Sequence, residues 1–191
     1  MMSEPLKRFV SRGGNKLEAA LDHFHFDVAG LICADLGSHV GGFVDCLLQR
    51  GARRVYSVDT SYGTLAWKLR KDDRVVVVER QNAMHVSLSE SVAFVTIDVG
   101  WTPQKKVLPN VREMLTRGGQ VLTLIKPHYE ANKTLLAGGV LPAEHLDATV
   151  AVVLNEIRAA GFSTNGTFTS PMAGHGGNRE VFALLKRLKR V

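Results

Sequence analysis

Four ionisable residues stand where an α/β protein does chemistry. Lys16 follows Ser11-Arg12-Gly13-Gly14-Asn15 at the opening of a helical segment. Asp98 ends the apolar run Val92-Ala93-Phe94-Val95-Thr96-Ile97, and Lys126 ends the run 119–126, just before Pro127. Glu180 lies in Gly177-Asn178-Arg179-Glu180, where the last apolar run begins. A lysine leaving an apolar strand is partly desolvated, which favours the neutral amine. A neighbouring carboxylate favours the ammonium, and a second lysine opposes it. The sequence leaves that balance open. Singly, each residue has a plain structural explanation, such as a turn cap for Asp98 or a surface pair of Glu180 with Arg179 or Lys186. Gathered at one edge of a sheet, they read as an acid–base site.

A second constellation follows the first apolar run: Asp35-Leu36-Gly37-Ser38-His39-Val40-Gly41-Gly42-Phe43. Glycines between a strand and a helix let the backbone approach a ligand closely. Asp59, 24 residues after Asp35, ends the next run and is placed for ribose hydroxyls. The spacing G-x-x-x-G-G is neither the dinucleotide fingerprint nor a phosphate-binding P-loop. An acid two residues before the first glycine suits a cationic or zwitterionic ligand better than a pyrophosphate. S-adenosylmethionine, with a sulfonium, an amino acid and no phosphate, has that character. Asn82, after the third run, either reaches an adenine edge or forms a turn.

These residues need a scaffold, and the apolar pattern supplies one. Strands are expected over 31–36, 54–59, 74–78, 92–98 and 119–126, as β-branched runs suited to burial on both faces. Helices are expected from about Asn15 to His23, and over 42–49, 63–70, 103–116 and 142–160. Thr102 is the expected cap of the fourth helix, and Pro103 its first residue. Alternating strands and helices imply a parallel α/β sheet with right-handed crossovers. The connection 79–91 lacks an obvious helix. Runs 162–170 and 180–188, joined by the glycine-rich loop 173–178, imply a C-terminal antiparallel hairpin at the sheet's edge. The expected organisation is a basic N-terminal segment, 1–14, followed by one domain, 15–191.

The 191 residues suffice for one domain with a proper core. Two cysteines, Cys33 and Cys46, lie in apolar segments and read as reduced core residues. The formal charge of +6 suits a polyanionic partner. No apolar run spans a membrane and no signal peptide opens the chain, so a soluble, cytoplasmic protein is expected. Seven scattered histidines suggest no metal site.

The segment Phe9-Val10-Ser11-Arg12-Gly13-Gly14-Asn15-Lys16-Leu17 resembles the opening of the methyltransferase domain of TlyA-type proteins, also known as hemolysin A or FtsJ-like RNA methyltransferases. The resemblance continues in order through Asp35-Leu36-Gly37, Gly41-Gly42-Phe43, Val58-Asp59, Tyr62-Gly63, Leu65-Ala66-Trp67-Lys68-Leu69-Arg70, Ile125-Lys126-Pro127 and Gly177-Asn178 with Glu180. It implies a Rossmann-like class I methyltransferase fold, with a seven-stranded, mostly parallel sheet and helices on both faces. It further implies S-adenosylmethionine as cofactor and 2′-O-methylation of RNA ribose, ribosomal RNA above all. A Lys-Asp-Lys-Glu tetrad falls on Lys16, Asp98, Lys126 and Glu180. The cofactor would be held by Asp35, Gly37, Ser38, Gly41, Gly42, Phe43, Asp59, Asn82 and Asp98.

Several positions depart from the family pattern. Ser38-His39-Val40 replaces the usual Ala-Ser-Thr, Asp98-Val99-Gly100-Trp101 the usual Asp-Leu-Ser-Phe, and Pro127-His128-Tyr129-Glu130 the usual Pro-Gln-Phe-Glu. The usual S4 RNA-binding domain finds no room in 191 residues, so a partner in its place is one expectation. Substrate contacts are expected from Lys7, Arg8 and Arg12; the basic tail Lys186-Arg187-Leu188-Lys189-Arg190 either adds to them or is a solvated strand end, and Trp101 either stacks on a base or lids the core. The rival readings are a small-molecule O-methyltransferase and a non-catalytic RNA-binding module.

Overall fold

The computed structural model describes residues 8–188. One seven-stranded sheet contains β1 (Ile32–Leu36), β2 (Arg54–Asp59), β3 (Val75–Glu79), β4 (Val92–Ile97), β5 (Leu115–Ile125), β6 (Phe162–Thr169) and β7 (Val181–Arg187). Their spatial order is β3-β2-β1-β4-β5-β7-β6. The first five strands pair in parallel, and β7 runs antiparallel to both neighbours. The antiparallel β6–β7 pair is as expected, but β7 slots between β5 and β6, so β7 alone runs against the sheet. The chain winds outward from β1 to β3 and returns to β4. The switch point lies between β1 and β4, where ligands collect in open sheets.

The helices are α1 (Arg12–His23), α2 (Gly42–Gln49), α3 (Trp67–Arg70), α4 (Gln104–Met114), α5 (Pro127–Glu130) and α6 (Leu146–Ala159). Successive strand residues face opposite ways, and the two faces carry separate cores. Cys33, Val55, Phe94 and Leu122 pack with Leu17 and Leu21 of α1 and Leu47 of α2. Ala34, Val58, Val95 and Val121 pack with Val107 and Val111 of α4 and Val153 of α6. Both cysteines are free and buried, and burial pushes their thiols up to about 12. No helix among the described residues is long and apolar enough to cross a membrane.

Several boundaries differ from expectation because tertiary contacts override local propensity. α1 begins at Arg12, inside the expected N-terminal segment, and Phe9 is already buried against Gly14. The expected helix 63–70 is helical only from Trp67. The residues before it are tied down non-helically: the Gly63 amide donates to Glu79 Oε1, and the Ala66 amide to the Val40 carbonyl. α4 stops at Met114, and Leu115 already pairs with Val92, so β5 starts before residue 119. α4 is also capped differently. Pro103 is extended and precedes the helix, and Thr102 Oγ1 turns back to the Gly100 carbonyl. The cap comes from afar: Glu130 Oε1 accepts the Gln104 amide at 3.0 Å. A 3-10 turn, Ala143–His145, separates Pro142 from α6. β3 is half-buried throughout, because it is an edge strand.

Candidate active site

The parallel strands all end at one edge, and the four ionisable residues meet there. Asp98 directly follows β4 and Lys126 directly follows its neighbour β5. Lys126 Nζ lies 2.6 Å from Asp98 Oδ1, an ion pair that lacks hydrogen-bond alignment at that oxygen. Antiparallel β7 begins where β5 ends: Val181 pairs with Ile125. Glu180, one residue earlier, is thereby delivered beside Lys126's end of the ladder. Glu180 is buried, and its Oε2 accepts from Lys16 Nζ at 2.6 Å. Lys16 arrives on the first turns of α1. The backbone of Gly174 lies against the Glu180 carboxylate, and any Cβ there would strike Oε1. Two acid–amine pairs thus stand at one sheet edge, and the Lys16–Glu180 pair joins residues 164 positions apart.

Two adjoining clefts open at the same edge. The larger, about 410 Å³, is walled by Asp59, Gln81, Asn82, Asp98 and Lys126 among others. The smaller, about 230 Å³, is walled by Arg12, Lys16, Asp35, Ser38, Gly42 and Phe43 among others. Gly37, His39 and Asp98 belong to both. The β1–α2 loop makes the junction. Gly37 has φ +89°, and a Cβ there would run into the Asp98 carbonyl oxygen, so only glycine fits. Gly42 lets the N-terminus of α2 press against Ser11 and Gly14 at the start of α1. Gly41 caps α2 in the left-handed conformation.

Asp35 and Asp59 occupy opposite electrostatic settings. Asp35 is buried, and Oδ1 accepts from Thr96 Oγ1 at 2.7 Å. Its Oδ2 is buried with no hydrogen-bond partner in the described structure. Burial raises its carboxyl to about 7, against the lowering pull of the Thr96 and Ser38 hydroxyls. Asp59 is also raised by burial, but hydrogen bonds outweigh that and hold it below its ordinary value. Its Oδ1 accepts from the Ser61 amide and hydroxyl, and its Oδ2 from the His39 amide at 2.8 Å. A buried carboxylate oxygen without a donor, in the wall of a cleft, calls for a cationic group. That fits the amino-acid end of S-adenosylmethionine, with Asp59 at the other cleft for a nucleoside.

Other expected contacts are distributed unevenly. Arg12 lines the smaller cleft. Arg8 lines neither and instead pairs with Glu18, at 2.7 Å from Nη2 to Oε1. Asn82 lines the larger cleft, but its Oδ1 already accepts the Met84 amide, the turn alternative. Trp101 is 81% exposed with φ +55°, its ring edge-on to Tyr129. Lys186 pairs with Gln120 midway along β5 and Arg187 ends β7, so these two residues lie away from the strand ends that hold the clefts. Lys7, Lys189 and Arg190 lie outside the described residues. No metal-holding cluster occurs among the described residues. Sequence reading missed His39, Ser11, Gly13 and Gln81 as cleft residues. His39 carried no signal, and Ser11 and Gly13 reach the site only through the packing of α1 on α2.

Known proteins share this architecture. A methyltransferase from Mesorhizobium loti described as S-adenosylmethionine dependent superposes with TM-score 0.68 at 18% identity, covering 90% of this chain and 98% of that one. A crystal structure from Lactococcus lactis described under the hemolysin name superposes with TM-score 0.90 at 39% identity, covering 94% and 88%. Among curated proteins, YqxC of Bacillus subtilis is 40% identical, over 91% of this chain and 64% of YqxC. The 16S/23S rRNA (cytidine-2'-O)-methyltransferase TlyA of Mycobacterium tuberculosis is 37% identical, over 97% and 71%. The chain therefore spans about two thirds of the length of these relatives. The FtsJ-like methyltransferase profile matches residues 9–187, which takes in both clefts and both acid–amine pairs. By profile, relatives and fold together, the chain belongs to the FtsJ-like methyltransferase family.

Proposed function

We propose that this protein transfers a methyl group from S-adenosylmethionine to a ribose 2′-hydroxyl of RNA, ribosomal RNA first among candidates. The observation that carries this reading is the pair of acid–amine contacts, Lys126–Asp98 and Lys16–Glu180, beside clefts suited to a zwitterionic nucleoside. Family membership and the methylated cytidine named for the M. tuberculosis relative support the substrate class.

The bound cofactor supplies an activated methyl group on a sulfonium. Asp35 would hold its amino group, with Ser38, Gly41, Gly42 and Phe43 around the amino-acid end. Asp59 would take the ribose hydroxyls and Asn82 the base. Gly37 and Asp98, which border both clefts, would flank the reacting centre. Because the donor is already reactive, the residues chiefly align the acceptor. Lys126 Nζ would orient the 2′-hydroxyl: as the ammonium of its pair with Asp98 it steadies the charge developing on that oxygen, and as the neutral amine it takes up the hydroxyl proton, while the methyl passes to oxygen and its bond to sulfur breaks. Asp98 fixes the position of that amine. Lys16 and Glu180 hold the nucleotide and shape the field around Lys126. Arg12 contacts backbone phosphate, and Trp101 stacks on the target base.

The test is transfer of labelled methyl to ribosomal subunits and to naked ribosomal RNA, wild type beside Lys126→Ala. Label in RNA whose neighbouring bond resists alkaline hydrolysis, lost in the variant, is the expected result. Label absent from every RNA while the cofactor still binds overturns the reading.

A further inference from the structure

Only three Phe, Tyr or Trp side chains among the described residues are exposed: Trp101 at 81%, Tyr62 at 69% and Trp67 at 68%. All three lie beyond the carboxyl ends of parallel strands. Trp101 follows β4, while Tyr62 and Trp67 follow β2. Trp67 opens the short helix α3, and the other two stand in loops. Chance exposure has no reason to choose the edge that holds the clefts.

Two of the three carry a cation on the ring. The Arg80 guanidinium sits 4.3 Å from the Tyr62 ring centre, and Lys71 Nζ sits 5.1 Å from that of Trp67. Nearby cations behave differently: Lys68 pairs with Asp45, Arg70 with Glu79, Arg74 with Asp72 and Arg54 with Glu90. Among the described residues, Arg80 and Lys71 have no carboxylate partner. Neither cation is held in an ion pair, so their N–H groups remain available to an anion.

The Tyr62–Arg80 pair is also built into the cleft rim. Arg80 is held at φ +56°, a conformation rare for a side-chain-bearing residue, and its amide donates to the Ser61 carbonyl. The next amide, of Gln81, donates to the Asp59 carbonyl. Thr60 and Gln81, beside Tyr62 and Arg80 in the chain, both line the larger cleft. Trp67 stands by the smaller cleft instead, since the Ala66 amide beside it donates to the carbonyl of Val40, which lines that cleft.

We propose that Tyr62 with Arg80, and Trp67 with Lys71, form a track for single-stranded RNA, gripping nucleotides that flank the target ribose. The aromatic faces take bases by stacking, and the two cations take phosphates. This rests on the reading of the chain as an RNA methyltransferase.

The experiment uses the full chain with Tyr62→Ala/Arg80→Ala, Trp67→Ala and the conservative control Tyr62→Phe. Three quantities are read: S-adenosylmethionine affinity by calorimetry, methyl transfer to naked ribosomal RNA, and binding of a fluorescent single-stranded oligoribonucleotide. The double variant is expected to raise KM for RNA about tenfold or more, with kcat and cofactor affinity kept. Arg80→Ala alone should lower the slope of log affinity against log salt by about 0.7. Tyr62→Phe should behave as wild type. An unchanged KM, or a KM change that Tyr62→Phe shares in full, overturns the track. Should the wild type methylate no RNA, the functional reading fails separately. Oligoribonucleotide binding then decides the track alone: weakened binding in the double variant supports it, and equal or absent binding overturns it.

Discussion

Lys126 Nζ stands 2.6 Å from Asp98 Oδ1, and each residue is the first after one of two neighbouring parallel strands. The parallel register makes this pairing: Ile97 of β4 lies opposite Thr123 of β5, and both chains leave the sheet in the same direction. Lys126→Ala should lower kcat for methyl transfer by about 10²–10⁴-fold while leaving S-adenosylmethionine affinity within a few-fold. Asp98→Asn should weaken both, because Asp98 borders both clefts. Steady-state kinetics beside calorimetry separates the two effects.

Asp35 links stability to pH. Its folded-state carboxyl is raised from 3.8 to about 7, so the folded protein keeps a proton that the unfolded chain releases. Stability from this group is full below pH 3.8, falls as pH rises toward 7 and stays low above it. The full shift corresponds to on the order of 4 kcal/mol. Asp35→Asn removes that loss but buries an unpaired amide N–H, leaving a net gain of about 1–3 kcal/mol at pH 8. Tm measured across pH 4 to 8 should show the gain shrinking as pH falls.

The same substitution should cost cofactor affinity. A cationic amino group favours the ionised carboxylate, so cofactor binding near pH 6.5 should release a proton. Calorimetry in two buffers of different ionisation enthalpy reads that release directly. Asp35→Asn should abolish the buffer dependence and weaken binding by at least tenfold.

Gly37→Ala meets two obstacles at one atom. The backbone there has φ +89°, and the new methyl would collide with the Asp98 carbonyl oxygen. A loss of about 2–4 kcal/mol is expected, larger than for an open left-handed glycine. Gly63 has φ +74° with nothing within 4 Å of a would-be Cβ, so Gly63→Ala is the matched control and should lose only about 1 kcal/mol. Urea denaturation of both variants checks the difference.

Lys16 is half-buried and its partner Glu180 buried, so removing the lysine strands the carboxylate's charge. Lys16→Met should cost about 3–5 kcal/mol. Adding Glu180→Gln should restore most of that stability without restoring methyl transfer. A double-mutant cycle by chemical denaturation, run beside the transfer assay, distinguishes a fold-holding pair from one the reaction also needs.

Much of this protein is settled by its sequence alone. Alternating apolar runs and helical patterns dictate a parallel sheet, because strands buried on both faces leave that signature at short range. The glycines and acids of 35–43 and Asp59 mark the cleft edge for the same reason: a strand end, a tight turn and a helix start are local events. Other features depend on distant partners. Glu130 caps α4 in place of Thr102, Leu115 leaves its helix to pair with Val92, and β7 inserts between β5 and β6. Those outcomes turn on contacts between segments far apart in the chain, where burial outweighs local propensity. The pairing of Lys16 with Glu180, the entry of His39 into both clefts and the donor-free oxygen of Asp35 are likewise tertiary. Residue type places a charge in the sequence, but only packing decides which charge it meets and how much water it keeps.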